Sequence, residues 1–162
     1  MSNTEINQNV LYGGQFLIKD PDVNHTFIPE EFNEEQLMVK QMAQDFMTNT
    51  FEPMREKVEK MEDGVTVNLL NEAAALGLLG THMPANYGGT ELDTNTNTLI
   101  NEVLGSASSW IVSYAAHTGI GMLPILYFGT EEQKSKYLPR LISGELKAAY
   151  CLTEPGSGSD AL

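Results

Sequence analysis

The sequence predicts an all-α domain of five or six helices that ends in a single β-strand. Three observations carry this. Apolar residues repeat every four positions from Met38, the spacing of one helix face. Helix-capping patterns stand at Asn33–Gln36 and Thr130–Gln133. A stretch without charge, Val103 to Thr130, lies between polar helices.

The elements follow in order. Residues 1–30 carry little periodicity, and Gly13-Gly14, Pro21 and Pro29 break up the apolar run Leu11–Ile18. An extended lead-in with at most one short helix is expected. Asn33 opens the first helix, whose stripe is Met38/Val39, Met42/Ala43 and Phe46/Met47. Asn49-Thr50 should interrupt it. Pro53 suits the first turn of a second helix, with Phe51, Met54, Val58 and Met61 as its inner face and a stop at Asp63-Gly64. A third helix reads from Val67 to Leu76 and ends at Gly77. The loop Thr81–Gly89 holds a proline and paired glycines, which mark turns. A fourth helix spans Asp93 to Leu104.

The charge-free stretch is long enough to raise the question of a membrane span. Ser106, Ser108, Ser109, Ser113, His117, Thr118 and Pro124 interrupt it. A helix buried on nearly all sides of a bundle is therefore expected. Ala107, Ala115, Ala116, Gly119 and Gly121 are small. They either allow close helix contact or leave room for a ligand, and the sequence alone favours contact. Thr130-Glu131-Glu132-Gln133 then caps a helix with Tyr137/Leu138 and Leu141/Ile142 on its inner face. Pro139 should distort its last turn. Leu146 to Thr153 reads as the strand.

Charge and composition exclude several functions. A chain of 162 residues with 41% apolar content can build a core. Its formal charge of −13 argues against nucleic acid and anionic membrane surfaces as partners. The single cysteine, Cys151, allows no internal disulfide, and its apolar neighbours predict a buried, inert thiol. Met1–Asn9 lacks the pattern of a signal or transit peptide, so a reducing, cytoplasmic setting is expected. His25, His82 and His117 show no metal-ligand spacing. His117 reads as a hydrogen-bonded core residue.

The richest segment closes the chain: Tyr150-Cys151-Leu152-Thr153-Glu154-Pro155-Gly156-Ser157-Gly158-Ser159-Asp160. It lacks the frame of a phosphate loop. A strand that feeds a rigid turn rich in N–H and hydroxyl groups can still hold a polar ring edge or a phosphate. The sequence stops two residues later, which suggests a fragment cut at the start of a binding site.

That segment, with Leu138-Pro139-Arg140-Leu141 and Ser143-Gly144-Glu145 before it, closely resembles the acyl-CoA dehydrogenases. Phe128-Gly129-Thr130-Glu131-Glu132-Gln133-Lys134, Lys136-Tyr137-Leu138-Pro139, and Pro84 with Tyr87-Gly88-Gly89 extend the resemblance in order over about residues 33–162. It implies an N-terminal helical domain of orthogonal or up-down helices at 33–145. Residues 1–32 are then a lead-in, and 146–162 are the first strand and flavin-facing turn of a truncated β-domain.

The resemblance also implies FAD as cofactor. Tyr150, Cys151, Leu152, Thr153, Gly158 and Ser159 would contact it, with the Thr153 hydroxyl and main-chain groups at the pyrimidine edge. Ser159 would also contact a fatty acyl-CoA, and Val112 and Ala116 would face the tail end of its cavity. This reverses the preference for close packing there. A small residue at 116 leans towards longer acyl chains, and the pattern looks most like the very-long-chain branch. The implied reaction removes a proton from the α carbon while hydride passes from the β carbon to flavin N5. The base is expected in a C-terminal bundle, so no catalytic residue is assigned here. Glu154 reads as structural, and no metal is implied. An electron-transfer flavoprotein or similar acceptor, and a dimer or tetramer at full length, are the expected partners. The competing reading is a stand-alone helical interaction module without catalysis.

Overall fold

The computed structural model describes residues 13–20 and 27–160. The chain divides into two compact units, Met1–Glu34 and Glu35–Leu162. In the first, the described residues form two short 3-10 turns, Gly13–Leu17 and Pro29–Glu31. The rings of Phe27 and Phe32 meet edge to face at 4.9 Å. The readings at Met1–Asn9, Pro21 and His25 lie outside the described residues.

The second unit is helical, as expected. Its described residues trace five helical rods. α1 (Glu34–Phe46) continues into a π-helix, Met47–Phe51, a 3-10 turn, Glu52–Met54, and α2 (Arg55–Glu59). The break expected at Asn49-Thr50 is a widening instead. A π turn carries extra residues per turn, and this keeps both Met47 and Phe51 buried. The inner face of the second helix is Phe51 and Val58; Met54 and Met61 are exposed. Helix α2 ends before Met61, which has a left-handed φ of 53° and turns its side chain to solvent.

α3 (Val65–Ala75) and α4 (Thr94–Leu104) form close to their expected limits. Asp93 caps α4 by accepting the N–H groups of Asn95 at 2.8 Å and Thr96 at 3.1 Å. This satisfies donors that a helix start leaves open. The Gln36 amide donates to Thr96 Oγ1 at 3.1 Å, which ties α1 to that cap. α5 (Trp110–Ala115), a second π-helix, Ala116–Gly121, and α6 (Leu123–Phe128) form one 19-residue rod. By length and apolar composition alone it is the one helix among the described residues able to cross a membrane. α7 (Glu131–Ile142) begins with the Thr130–Gln133 capping box, formed in both directions. It runs through Pro139 to Ile142 without stopping early. The Pro139 carbonyl still accepts the Ser143 N–H at 3.0 Å.

Two hydrophobic clusters share the rod 110–128. The first gathers Phe46, Phe51, Leu70, Leu104, Trp110 and Tyr114. Trp110 is its hub, with ring centroids 5.5 Å from Phe46, 5.9 Å from Phe51 and 5.5 Å from Tyr114. Such aromatic pairs add to the energy of simple area burial. The second gathers Met83, Met122, Leu138, Leu141 and Ile142. The loop before α4 closes against itself. A Cβ at Gly89 would stand 2.0 Å from the Met83 carbonyl oxygen, so only glycine fits there.

Two expectations fail for one reason. Residues 147–153 form no strand, and Cys151 is exposed. A strand exists by pairing, and the described residues supply none. Only Glu154 and Ser157 form an isolated antiparallel bridge. The rod 110–128 is also not buried all round: Trp110, Tyr114, His117 and Met122 are buried, whereas Val112, Ile120, Tyr127 and Phe128 are exposed.

Replacing Trp110 by Ala should lower unfolding stability by about 3–5 kcal/mol, because it empties the hub of the larger cluster. Urea unfolding followed by far-ultraviolet circular dichroism checks this. A loss below about 1 kcal/mol would show that the cluster repacks.

Candidate functional site

The sequence places its candidate residues on two elements, the rod 110–128 and the segment 147–160. Val112 and Ala116 are four residues apart on the rod. They therefore share one helix face. Val112 is 69% exposed and Ala116 half-buried. The opposite face is anchored by Trp110, Tyr114 and His117. The Tyr114 hydroxyl donates to the Leu78 carbonyl at 2.7 Å, and burial pushes its pKa well above the ordinary phenol value.

The rod widens where its polar residues are buried. Thr118 Oγ1 donates to the Tyr114 carbonyl at 2.9 Å. The Thr118 carbonyl accepts from His82 Nε2 at 3.0 Å. His117 Nε2 donates to the Leu141 carbonyl at 3.0 Å, and His117 Nδ1 accepts the Ala148 N–H at 3.0 Å. Carbonyls only accept, so these partners fix the proton on Nε2 of both rings. Burial is the main cause that lowers the pKa of both histidines; the bonded carbonyls act weakly in the other direction. The charge of Lys147 lowers His117 further.

The rod and the closing segment meet at residue 148. A Cβ on Gly121 would lie 2.5 Å from the Ala148 Cβ and 2.9 Å from the Ala116 carbonyl oxygen. Gly121 is thus a seat for Ala148, beside Ala116. After that contact the segment runs exposed through Tyr150, Cys151, Leu152 and Thr153. Their main-chain N–H and C=O groups and the Thr153 hydroxyl make no hydrogen bond among the described residues.

The turn is ordered by its own bonds. Glu154 and Ser157 exchange main-chain bonds at 2.9 and 3.1 Å. The Ser157 hydroxyl donates to the Asp160 carbonyl at 3.3 Å, and the Gly158 N–H donates to Asp160 Oδ1 at 3.0 Å. Gly158 and Ser159 are exposed, and a Cβ on Gly156 or Gly158 would meet nothing within 4 Å. The turn therefore leaves free space over both glycines, on a frame that it holds by itself.

A row of open main-chain donors and acceptors beside an exposed hydroxyl fits one edge of a planar, hydrogen-bonding ring. The chemistry of this donor set therefore suits a flavin edge. Among the described residues no group of His, Cys, Asp and Glu could hold a metal ion. The function of Gly121 and His117 as seat and tether for residue 148 was not legible in the sequence. Ala148 lies 31 residues from His117, and no local pattern links them.

The family model described as acyl-CoA dehydrogenase, N-terminal domain, matches residues 33–145. A probable acyl-CoA dehydrogenase of Bacillus subtilis is 47% identical over 154 residues, which is 95% of this chain and 26% of that protein. The human very long-chain specific acyl-CoA dehydrogenase is 38% identical over 138 residues, which is 82% of this chain and 21% of that protein. The crystal structure of an acyl-CoA dehydrogenase complexed with FAD, from Bacillus anthracis, superposes with a TM-score of 0.87 at 47% identity. It covers 94% of this chain, which spans 26% of that one. The chain thus spans about a quarter of the length of these relatives.

The two lowered histidines set a pH dependence. Unfolding returns each to an ordinary value of 6.5, so the unfolded state binds more protons below that pH. Their contribution to stability is complete above about pH 6.5 and is lost as pH falls through the folded values. Exposed carboxylates with lowered pKa, such as Glu52, Glu131 and Glu145, act in a lower window, below their ordinary 4.5. Urea midpoints should therefore fall between pH 7 and pH 5, and the fall should flatten when His82 and His117 are both replaced by Asn. An unchanged slope in that variant would contradict the assignment.

Proposed function

The chain belongs to the acyl-CoA dehydrogenase N-terminal domain family, and from that premise we propose that it forms one wall of a cleft for FAD and a fatty acyl-CoA thioester. The row of unpaired main-chain groups at 150–153, next to the Thr153 hydroxyl, carries this reading. On it, residues 33–145 are the helical domain, 1–32 the lead-in, and 146–162 the flavin-facing edge of a following β-domain.

When bound, FAD supplies the hydride acceptor for α,β-dehydrogenation of the thioester. The chain's own residues bind and orient. Main-chain groups of Tyr150, Cys151 and Leu152 and the Thr153 hydroxyl hold the polar edge of the ring. Gly158 leaves room for the close approach of the cofactor. Ser159, at the end of the turn, donates to FAD and the acyl-CoA. Val112 and Ala116 line the tail of the acyl site on the open face of the rod. The small side chain at 116 gives that site depth, which favours long acyl chains. No glutamate of this chain acts as the base that takes the α proton. Glu154 spends its main-chain groups on Ser157 and shapes the turn.

The setting proposed is cytoplasmic. An electron-transfer flavoprotein or similar acceptor, and assembly into a dimer or tetramer, belong to the whole enzyme.

A chimera tests the reading. Residues 33–160 of this chain replace the matching segment of the Bacillus subtilis relative. The purified chimera should hold FAD and lose its flavin absorbance on addition of a long-chain acyl-CoA. In it, Thr153→Val should weaken FAD binding about tenfold, the worth of one or two hydrogen bonds. Ala116→Phe should move the preference towards shorter acyl chains. A folded chimera that holds no flavin would overturn the proposal in favour of an interaction module without catalysis.

A further inference from the structure

Between α7 and the closing turn the chain is tethered at few points. The Leu146 N–H donates to the Arg140 carbonyl at 3.0 Å. Lys147 Nζ donates to Asn71 Oδ1 at 2.6 Å and also to the Gly144 carbonyl. The Ala148 N–H donates to His117 Nδ1 at 3.0 Å. Beyond that bond no described main-chain group is tied until Glu154 meets Ser157. His117 is therefore the last hold on the segment before the turn.

The hold is specific in three ways. The ring is 1% exposed, so water does not compete for it. Its two nitrogens face opposite kinds of partner, an N–H and a carbonyl, and the bond to Leu141 keeps Nδ1 free to accept. On the other side, Gly121 admits the Ala148 methyl so closely that any side chain at 121 would push it away. A shift of one residue in either direction would offer the ring a different N–H, and a shift that brought Lys147 to the Gly121 seat would also place a larger side chain there.

We propose that His117 is a positioning residue: by accepting the Ala148 N–H it sets the register in which 147–153 leaves the helical domain, and so places Tyr150–Thr153 beside the rod that carries Ala116. Its importance for cofactor binding rests on the flavin reading above. The tether itself does not, and it can be tested without flavin.

Asn and Gln divide the two functions of the ring. In His117→Asn the amide oxygen stands where Nδ1 was and can accept the Ala148 N–H. In His117→Gln the amide nitrogen reaches towards the Leu141 carbonyl, and the Ala148 partner is lost. The chain itself, labelled with 15N and without flavin, serves for the measurement. Amide exchange at Ala148 should stay within about threefold of wild type in His117→Asn and rise about tenfold or more in His117→Gln. Fast backbone motion of Tyr150–Thr153 should increase in the Gln variant alone. Equal behaviour of the two variants would overturn the proposal, because a residue that merely fills space has no such preference. Faster exchange at Ala148 with unchanged motion at 150–153 would overturn it too. Should a variant fail to fold, the wild-type chain decides: a scalar coupling across the bond between the Ala148 amide nitrogen and His117 Nδ1 is expected, and its absence overturns the tether. Failure of the flavin reading would show separately, as a chimera without FAD.

Discussion

The domain depends on one helical rod that serves two hydrophobic clusters with a single face. At its start Trp110 and Tyr114 enter the first cluster, and near its end Met122 enters the second. A regular helix drifts by 100° per residue and keeps one stripe. The widened turn Ala116–Gly121 lies between the two anchor points. There His117 and Thr118 are buried: the His117 ring bonds backbone of α7 and of residue 148, and the Thr118 carbonyl accepts from the His82 side chain of the 81–89 loop. Because one face satisfies both clusters, the other is left with Val112, Ile120, Tyr127 and Phe128 exposed. The open face is thus a consequence of how the core is built.

Site and stability are coupled through the same turn. Gly121 gives Ala148 its seat, and Ala116 sits at the same contact. The wall proposed for the acyl tail and the start of the proposed flavin edge therefore share one packed junction. Polar groups at that junction are satisfied; no buried side-chain nitrogen or oxygen among the described residues lacks a partner. A fully bonded buried network favours one arrangement over its alternatives.

Much of the helical part was legible in the sequence, since local rules decide it. Thr130 caps where its box stands in the sequence, α4 begins at its expected limit, and Leu138, Leu141 and Ile142 turn inwards where the spacing puts them. Three features were not legible because they depend on distant residues. The Asn49-Thr50 break became a π turn since both Met47 and Phe51 are held by the core. Burial of 110–128 is one-sided because packing partners cover only one face, which composition does not reveal. The strand at 146–153 follows from β propensity alone, and propensity does not form a strand without a neighbour. The same lack of partners exposes Cys151. Of the site, the turn residues and the Val112/Ala116 face came from resemblance to a family, whereas the His117–Ala148 tether appears only in three dimensions.

Cysteine scanning along residues 110–128, with Cys151 first replaced by Ser, tests whether the rod has one anchored face and one open face. The quantity is the rate at which each introduced thiol reacts with a water-soluble reagent in the folded chain. A one-sided pattern is expected: fast labelling at 112, 120, 127 and 128, and strong protection at 110, 114, 117 and 122. Uniform protection along the rod, or uniform labelling, would contradict an anchored face opposed to an open one.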